Sequence, residues 1–111
     1  MYTDSYTELL IKDKTAETDV ERKALFLILS NDDLFGKVTH LYDFQEHSIK
    51  PDSLDNGEVD LSSSSRKLVM AAFNLFNGHY TADIFDTFAG LDDENFDLVI
   101  QAIKIRFNKD K

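Results

Sequence analysis

The stretch Arg66-Lys67-Leu68-Val69-Met70-Ala71-Ala72-Phe73-Asn74-Leu75-Phe76-Asn77, preceded by Ser62 to Ser65 and followed by Gly78, contains the start, body and end of a helix. Serine hydroxyls accept from the orphan amides of a first helical turn, and glycine adopts the left-handed backbone that closes a last one. Between these ends, Leu68, Val69, Ala71, Ala72, Phe73, Leu75 and Phe76 spread apolar surface around the helix, as an element surrounded by others requires. The small Ala71 and Ala72 permit a close neighbour. The pattern predicts an all-α domain of five or six helices around a central helix at residues 66–77.

Towards the C-terminus, Thr81 is placed to cap a short helix containing Ile84, Phe85 and Phe88, which Ala89-Gly90 ends. Asp92 then opens a last helix in which Phe96, Val99, Ile100, Ile103 and Phe107 recur with helical spacing. Its acids Asp92, Asp93 and Glu94 suit the positive end of the helix dipole, and Lys104, Arg106 and Lys109 suit the negative end.

Towards the N-terminus, Asp43 to Leu61 holds the single proline, Pro51, and the turn-like Asp55-Asn56-Gly57, and it reads as a long connection. Before it, Asn31-Asp32-Asp33 heads a helix over 32–42 with Leu34, Phe35, Val38, Leu41 and Tyr42 on its apolar side, although Gly36 weakens the pattern. Thr18 and Glu21 have capping-box spacing ahead of a helix over 19–29, whose Ala24 to Leu29 is apolar on every side. A first helix near 4–12 would place Tyr6, Leu9 and Leu10 on one face.

With 111 residues, 42% of them apolar, the chain suffices for one domain over 1–111 with its own core. It has no cysteine, which removes thiolate metal sites, redox motifs and thiol nucleophiles and suits a reducing cytoplasm. Neither a basic signal-like start nor an apolar run approaching the roughly 20 residues of a membrane span is present. Twenty-one acidic against twelve basic residues give a net charge of −9, a field that repels phosphate and anionic lipid and attracts basic surfaces. Direct contact with nucleic acid or membrane is therefore not expected, nor is a cofactor.

For metal or acid–base chemistry the best candidates are His40, Asp43 and His47, which would share a face with Glu46 beside them on a continuous helix. The separation of the histidines, roughly 10 Å along an ideal helix, is too great for one ion without a bend. Asp52 to Ser63 resembles a calcium loop only superficially, because Leu54 and Ser63 occupy ligand positions. The serines lie in no nucleophile elbow, and the four glycines are unclustered, so neither hydrolysis nor phosphate binding has a motif.

The charge distribution is more informative. Asp83, Asp86, Asp92, Asp93, Glu94 and Asp97 occupy one stretch without a Lys or Arg, and Asp43, Glu46, Asp52, Asp55, Glu58 and Asp60 form a second zone relieved only by Lys50. Were folding to unite the two zones, they could imitate the phosphate rows of a nucleic acid and occupy a basic groove.

Tyr42-Asp43-Phe44-Gln45-Glu46-His47-Ser48-Ile49-Lys50-Pro51, then Arg66-Lys67-Leu68-Val69, Ala72-Phe73-Asn74-Leu75-Phe76-Asn77-Gly78 and finally Ala102 to Phe107 resemble an uncharacterised family of small proteins from Firmicutes and their phages or mobile elements. The likeness spans about residues 24–107. It departs at Asp60-Leu61-Ser62-Ser63-Ser64, where family members often carry a Trp-Gln-Thr-like turn. The resemblance brings no activity, but it implies the company of small acidic phage proteins that inhibit host factors, including defence nucleases.

Three functional expectations follow. The first is a non-enzymatic binding protein of anti-CRISPR or anti-restriction type, a nucleic-acid mimic whose protein partner has a basic surface and which engages it through Asp83, Asp86, Asp92, Asp93, Glu94 and Asp97. The second is a metal-binding or catalytic module at His40, Asp43 and His47. The third is a homodimer using aromatic surface such as Tyr2, Tyr6 or Phe107.

Overall fold

Ala24-Leu25-Phe26-Leu27-Ile28-Leu29 has no polar side to turn towards water. In the computed structural model, which describes residues 4–110, these residues form the second half of helix α2 (Val20–Leu29), and all six are fully buried. Helix α1 (Asp4–Asp13) covers one side of α2, while α4 (Ser63–Asn77) and α6 (Asp93–Arg106) make its most extensive contacts. The central helix is thus α2 rather than the helix at 66–77. An amphipathic helix can lie on a surface, whereas one that is apolar all round must be enclosed.

The architecture is mainly α, with six α-helices among the described residues and one small hairpin. Ser62 caps α4, its hydroxyl accepting from the Ser65 amide at 3.1 Å, so this helix begins at Ser63. Gly78 ends it at φ 74°, where a β-carbon would be strained. Leu68, Val69, Ala72 and Phe73 are buried in a helix whose most extensive contact is with α2, and the exposed turns of α4 lie at its two ends.

The helix expected over 32–42 is much shorter. Asn31 caps α3 (Asp32–Phe35), and after Gly36 the chain continues as a 3₁₀ turn at Val38–His40. Glycine and the β-branched Val38-Thr39 pair both weaken a helix, and the tighter turn still buries Leu34, Val38 and Leu41. Where the helix was expected to give way to a long connection, Tyr42–Asp43 (β1) pairs antiparallel with Ser48–Ile49 (β2), Tyr42 opposite Ile49 and Asp43 opposite Ser48. A second 3₁₀ turn, Pro51–Leu54, leads towards α4.

Other helix starts shift by a residue or two because carboxylates displace threonines as caps. Asp19, not Thr18, accepts from the Arg22 amide at 3.0 Å to open α2, and Asp83, not Thr81, caps α5 (Ile84–Ala89). Asp92 caps α6 as its position implied. The buried stripe of α6 is Val99, Ala102 and Ile105, which leaves Phe96 and Phe107 exposed rather than in the core. Tyr6 is buried in α1 and offers no dimer surface, while Tyr2 lies outside the described residues. No helix among the described residues is long and apolar enough to cross a membrane.

Candidate functional site

Two helix starts far apart in sequence meet at the surface. The Asn31 side chain accepts from the Asp33 and Leu34 amides at 2.8 and 3.2 Å, capping α3, and its Nδ2 donates to Asn95 Oδ1 in the first turn of α6 at 2.7 Å. Asp92 in turn accepts from the Asn95 amide at 2.8 Å. At this junction opens a groove of about 450 Å³ whose walls include Asp32, Asp33, Asp92, Glu94 and Asp97. Acids at helix starts are stabilised by the unpaired amides and the dipole, so folding concentrates them here without a penalty from each helix.

The six acids of the predicted contact set divide. Asp92, Glu94 and Asp97 join Asp32 and Asp33 around the groove. Asp83 and Asp86 instead share a crevice of about 210 Å³ with Arg66 and Lys67, which offset their charge. Asp93 is exposed at the start of α6.

The other acidic zone is interleaved with cations. Arg66 lies 3.5 Å from Asp55, Lys37 donates to the Asp60 carbonyl, and Lys50 donates to the Thr39 carbonyl. Asp43 is a turn cap: its Oδ1 accepts from the Glu46 and Gln45 amides at 3.0 and 2.9 Å, and these bonds, that from Glu46 foremost, hold its carboxyl below the usual aspartate range.

Between the acids of α5 and α6 lies apolar surface. Ile84 and Phe85 are each 77% exposed, and Phe96 is 45% exposed. Phe88, a turn beyond Ile84 and Phe85, meets the Phe96 ring at a centroid distance of 5.0 Å. The short α5 has room to bury only its Thr87 side, so its first two apolar residues stay outside.

His40, Asp43 and His47 are not on one helix face. His40 ends the first 3₁₀ turn, Asp43 closes the hairpin turn, and His47 takes a left-handed backbone at φ 55° and turns towards α1. Among the described residues, no three His, Cys, Asp or Glu side chains gather so as to hold a metal ion.

His47 meets a residue that sequence reasoning passed over. Asp13 has a side chain with 0% exposure at the end of α1. Its Oδ1 accepts from the Tyr42 hydroxyl at 2.8 Å and lies 2.7 Å from His47 Nδ1, while its Oδ2 accepts from Thr15 at 2.7 Å and from Arg22 at 3.5 Å. A carboxylate offers only lone pairs, so the imidazole presents Nδ1–H to it. Burial, and after it the bond to Asp13, pushes the Tyr42 hydroxyl well above the ordinary tyrosine range. Tyr42 also packs edge-on against Phe26 and Phe44, both at 4.9 Å. The assembly fastens α1, α2 and the hairpin around one carboxylate.

Residues 2–111 match a family of unknown function (DUF6075). The chain belongs to that family. No curated protein and no solved structure matches it.

In this DUF6075 chain the Tyr42-to-Pro51 block is a hairpin tied to Asp13, and the block ending in Asn77-Gly78 is a core helix with its left-handed stop. One signal for Asp13 was present in the sequence. An acid in the last turn of a helix opposes the dipole, and a locally unfavourable charge points to a tertiary partner. Asp32 and Asp33 were readable as helix-start acids, but their neighbours across the groove depend on the Asn31–Asn95 link, which spans 64 positions.

Proposed function

We propose that this DUF6075 protein is a non-enzymatic binding protein that docks a basic surface of a partner protein on the face formed by α5 and the start of α6. The observation that carries this reading is the pair Ile84 and Phe85, each 77% exposed, within a stretch that has six acids and no Lys or Arg between Lys67 and Lys104. A large apolar side chain left in water forgoes about 1.5–3 kcal/mol that burial would return. A covering partner recovers it. Protein interfaces commonly combine such an apolar centre with a polar rim.

The rim selects the partner. Asp93 and Asp97 adjoin Phe96 on α6, Asp92 lies one turn before it, and Glu94 turns towards the groove, so a basic surface gains both on-rate and register while nucleic acid is repelled. An enzyme that binds DNA or RNA through a cationic groove suits this chemistry, and occupation of that groove would inhibit it. Separation of the cation-interleaved zone at 43–60 from the five-acid groove favours one local docking face over a long imitation of a phosphate backbone.

Retention of a partner from a lysate of the source organism, washed across a salt series, tests the proposal. The partner is expected to be retained by the wild-type chain and to be lost with Asp93→Asn/Glu94→Gln/Asp97→Asn and, separately, with Phe85→Ser. Equal retention by all three chains would sink the assignment to this face.

A further inference from the structure

We infer that the element seated on the α5–α6 face is a basic amphipathic helix of the partner, an inference that rests on the binding role proposed above. Ile84 and Phe85 open α5, Phe88 follows one turn later, and its ring touches Phe96 on α6. Side chains three and four apart adjoin on a helix, so these residues form a strip rather than a broad apolar patch. A strip matches the single apolar edge of an amphipathic helix.

The backbone supports the same occupant. This face is built from helices, and the one sheet among the described residues is the β1–β2 hairpin, so an extended peptide finds no strand edge to join there. A helix arrives with its backbone bonds already satisfied. Beside Ile84 an apolar crevice of about 80 Å³, walled by Ala71, Leu75, Val99 and Ile103, is of a size for one aliphatic side chain. One anchor in a small pocket is the usual form of a strong contact.

Charge sets the direction. Arg66 and Lys67 reach the crevice beside Asp83 and Asp86, whereas no cation shares the groove of Asp92, Glu94 and Asp97. The positive residues of the partner helix therefore concentrate towards α6. A second copy of this chain could offer exposed Phe107 with Lys104 and Lys109, but two copies at −9 each repel. The charge balance favours a different protein.

The test titrates the full chain against synthetic peptides of about five helical turns, followed by fluorescence anisotropy at low and physiological salt. One is a lysine-flanked amphipathic helix with a Leu/Phe edge, and the other is a scramble of the same composition. The amphipathic peptide is expected to bind and gain helical circular dichroism, the scramble to bind roughly tenfold more weakly or less, and Phe85→Ser or Ile84→Ser to lower affinity about tenfold. Both positions are exposed, so the variants keep the core intact.

Equal binding of the scramble, or an unchanged affinity in Phe85→Ser, would reduce the contact to charge attraction and overturn the inference. Self-association by light scattering that Phe85→Ser abolishes would replace the partner helix with a second copy. If a lysate partner is retained through this face while neither peptide binds, the helix inference fails and the binding role stands. If neither lysate nor peptides yield a face-dependent partner, both fail.

Discussion

The Tyr42 hydroxyl donates to Asp13 Oδ1 at 2.8 Å, joining the hairpin to the end of α1 across 29 positions of sequence. A buried hydrogen bond to a charged group contributes about 1.5–3 kcal/mol. Tyr42→Phe should therefore lower unfolding free energy by about 2 kcal/mol in urea titrations, with the slope unchanged. Asp13→Ala should cost more, about 3–5 kcal/mol, because it removes the shared partner of Tyr42, His47 and Thr15 and leaves Arg22 only Asp19. The double variant should cost much less than the sum, since both substitutions remove the same bond. Additive losses would show that the tie does not contribute.

Burial of Tyr42, and after it the same bond, predicts loss of stability in alkali. Tyr42 is held neutral in the fold, its hydroxyl raised above the ordinary tyrosine value chiefly by burial. Above pH of about 10 the unfolded chain releases this proton while the folded chain retains it. The native state then binds more protons than the unfolded state, so stability falls as pH rises. The contribution is complete below pH of about 10 and is lost progressively above it. Tyr42→Phe should have the shallower decline over that window, measured by thermal melts at matched ionic strength, because the remaining titrating groups are common to both chains.

How much was readable in advance follows from how local each determinant is. The end of α4 and the start of α6 were legible because Gly78 and Asp92 act on backbone angles or amides within a turn of themselves, whereas four serines in a row left the start of α4 three residues late. Leu41 and Tyr42 fitted a helical pattern equally well, yet Tyr42 is drawn into a strand facing Phe26, Phe44 and Asp13, partners that no local spacing reveals. The exposed aromatics failed for a related reason. Phe96 and Phe107 repeat with the period of a buried face, but the face that meets α2 is set by Val99, Ala102 and Ile105, whose smaller side chains allow the two helices to approach. The acids of α6 were legible as a group; the part that Asp32 and Asp33 play beside them was not, because it depends on two asparagines meeting in three dimensions.

His47 combines a left-handed backbone, φ 55°, with its bond to Asp13. Alanine and glycine at this position both delete the imidazole, but only alanine retains a β-carbon in a conformation that disfavours it. The left-handed strain costs an L-residue about 1–2 kcal/mol, offset in part by the greater freedom of glycine in the unfolded chain. His47→Gly should accordingly be more stable than His47→Ala by about 0.5–1 kcal/mol, and both less stable than wild type. The order of denaturation midpoints checks this. An Ala variant equal to or above Gly would mean that the turn relaxes out of the left-handed region once the tie to Asp13 is gone.

Asp92 serves two physical roles that substitution can separate. Its carboxylate caps α6 by accepting from the Asn95 amide at 2.8 Å, and its charge faces the groove shared with Asp32, Asp33, Glu94 and Asp97. Asparagine caps a helix about as well as aspartate, whereas alanine does not cap at all. Asp92→Ala should thus destabilise the fold by about 1 kcal/mol, and Asp92→Asn by a few tenths, the remainder being loss of charge at the positive end of the dipole. Both remove one negative charge from the groove. If charge guides the partner, the two variants should weaken its binding alike at low salt and converge on wild type as salt rises. Equal destabilisation by Asn and Ala in urea melts would instead assign the start of α6 to the charge of Asp92 rather than to its hydrogen bond.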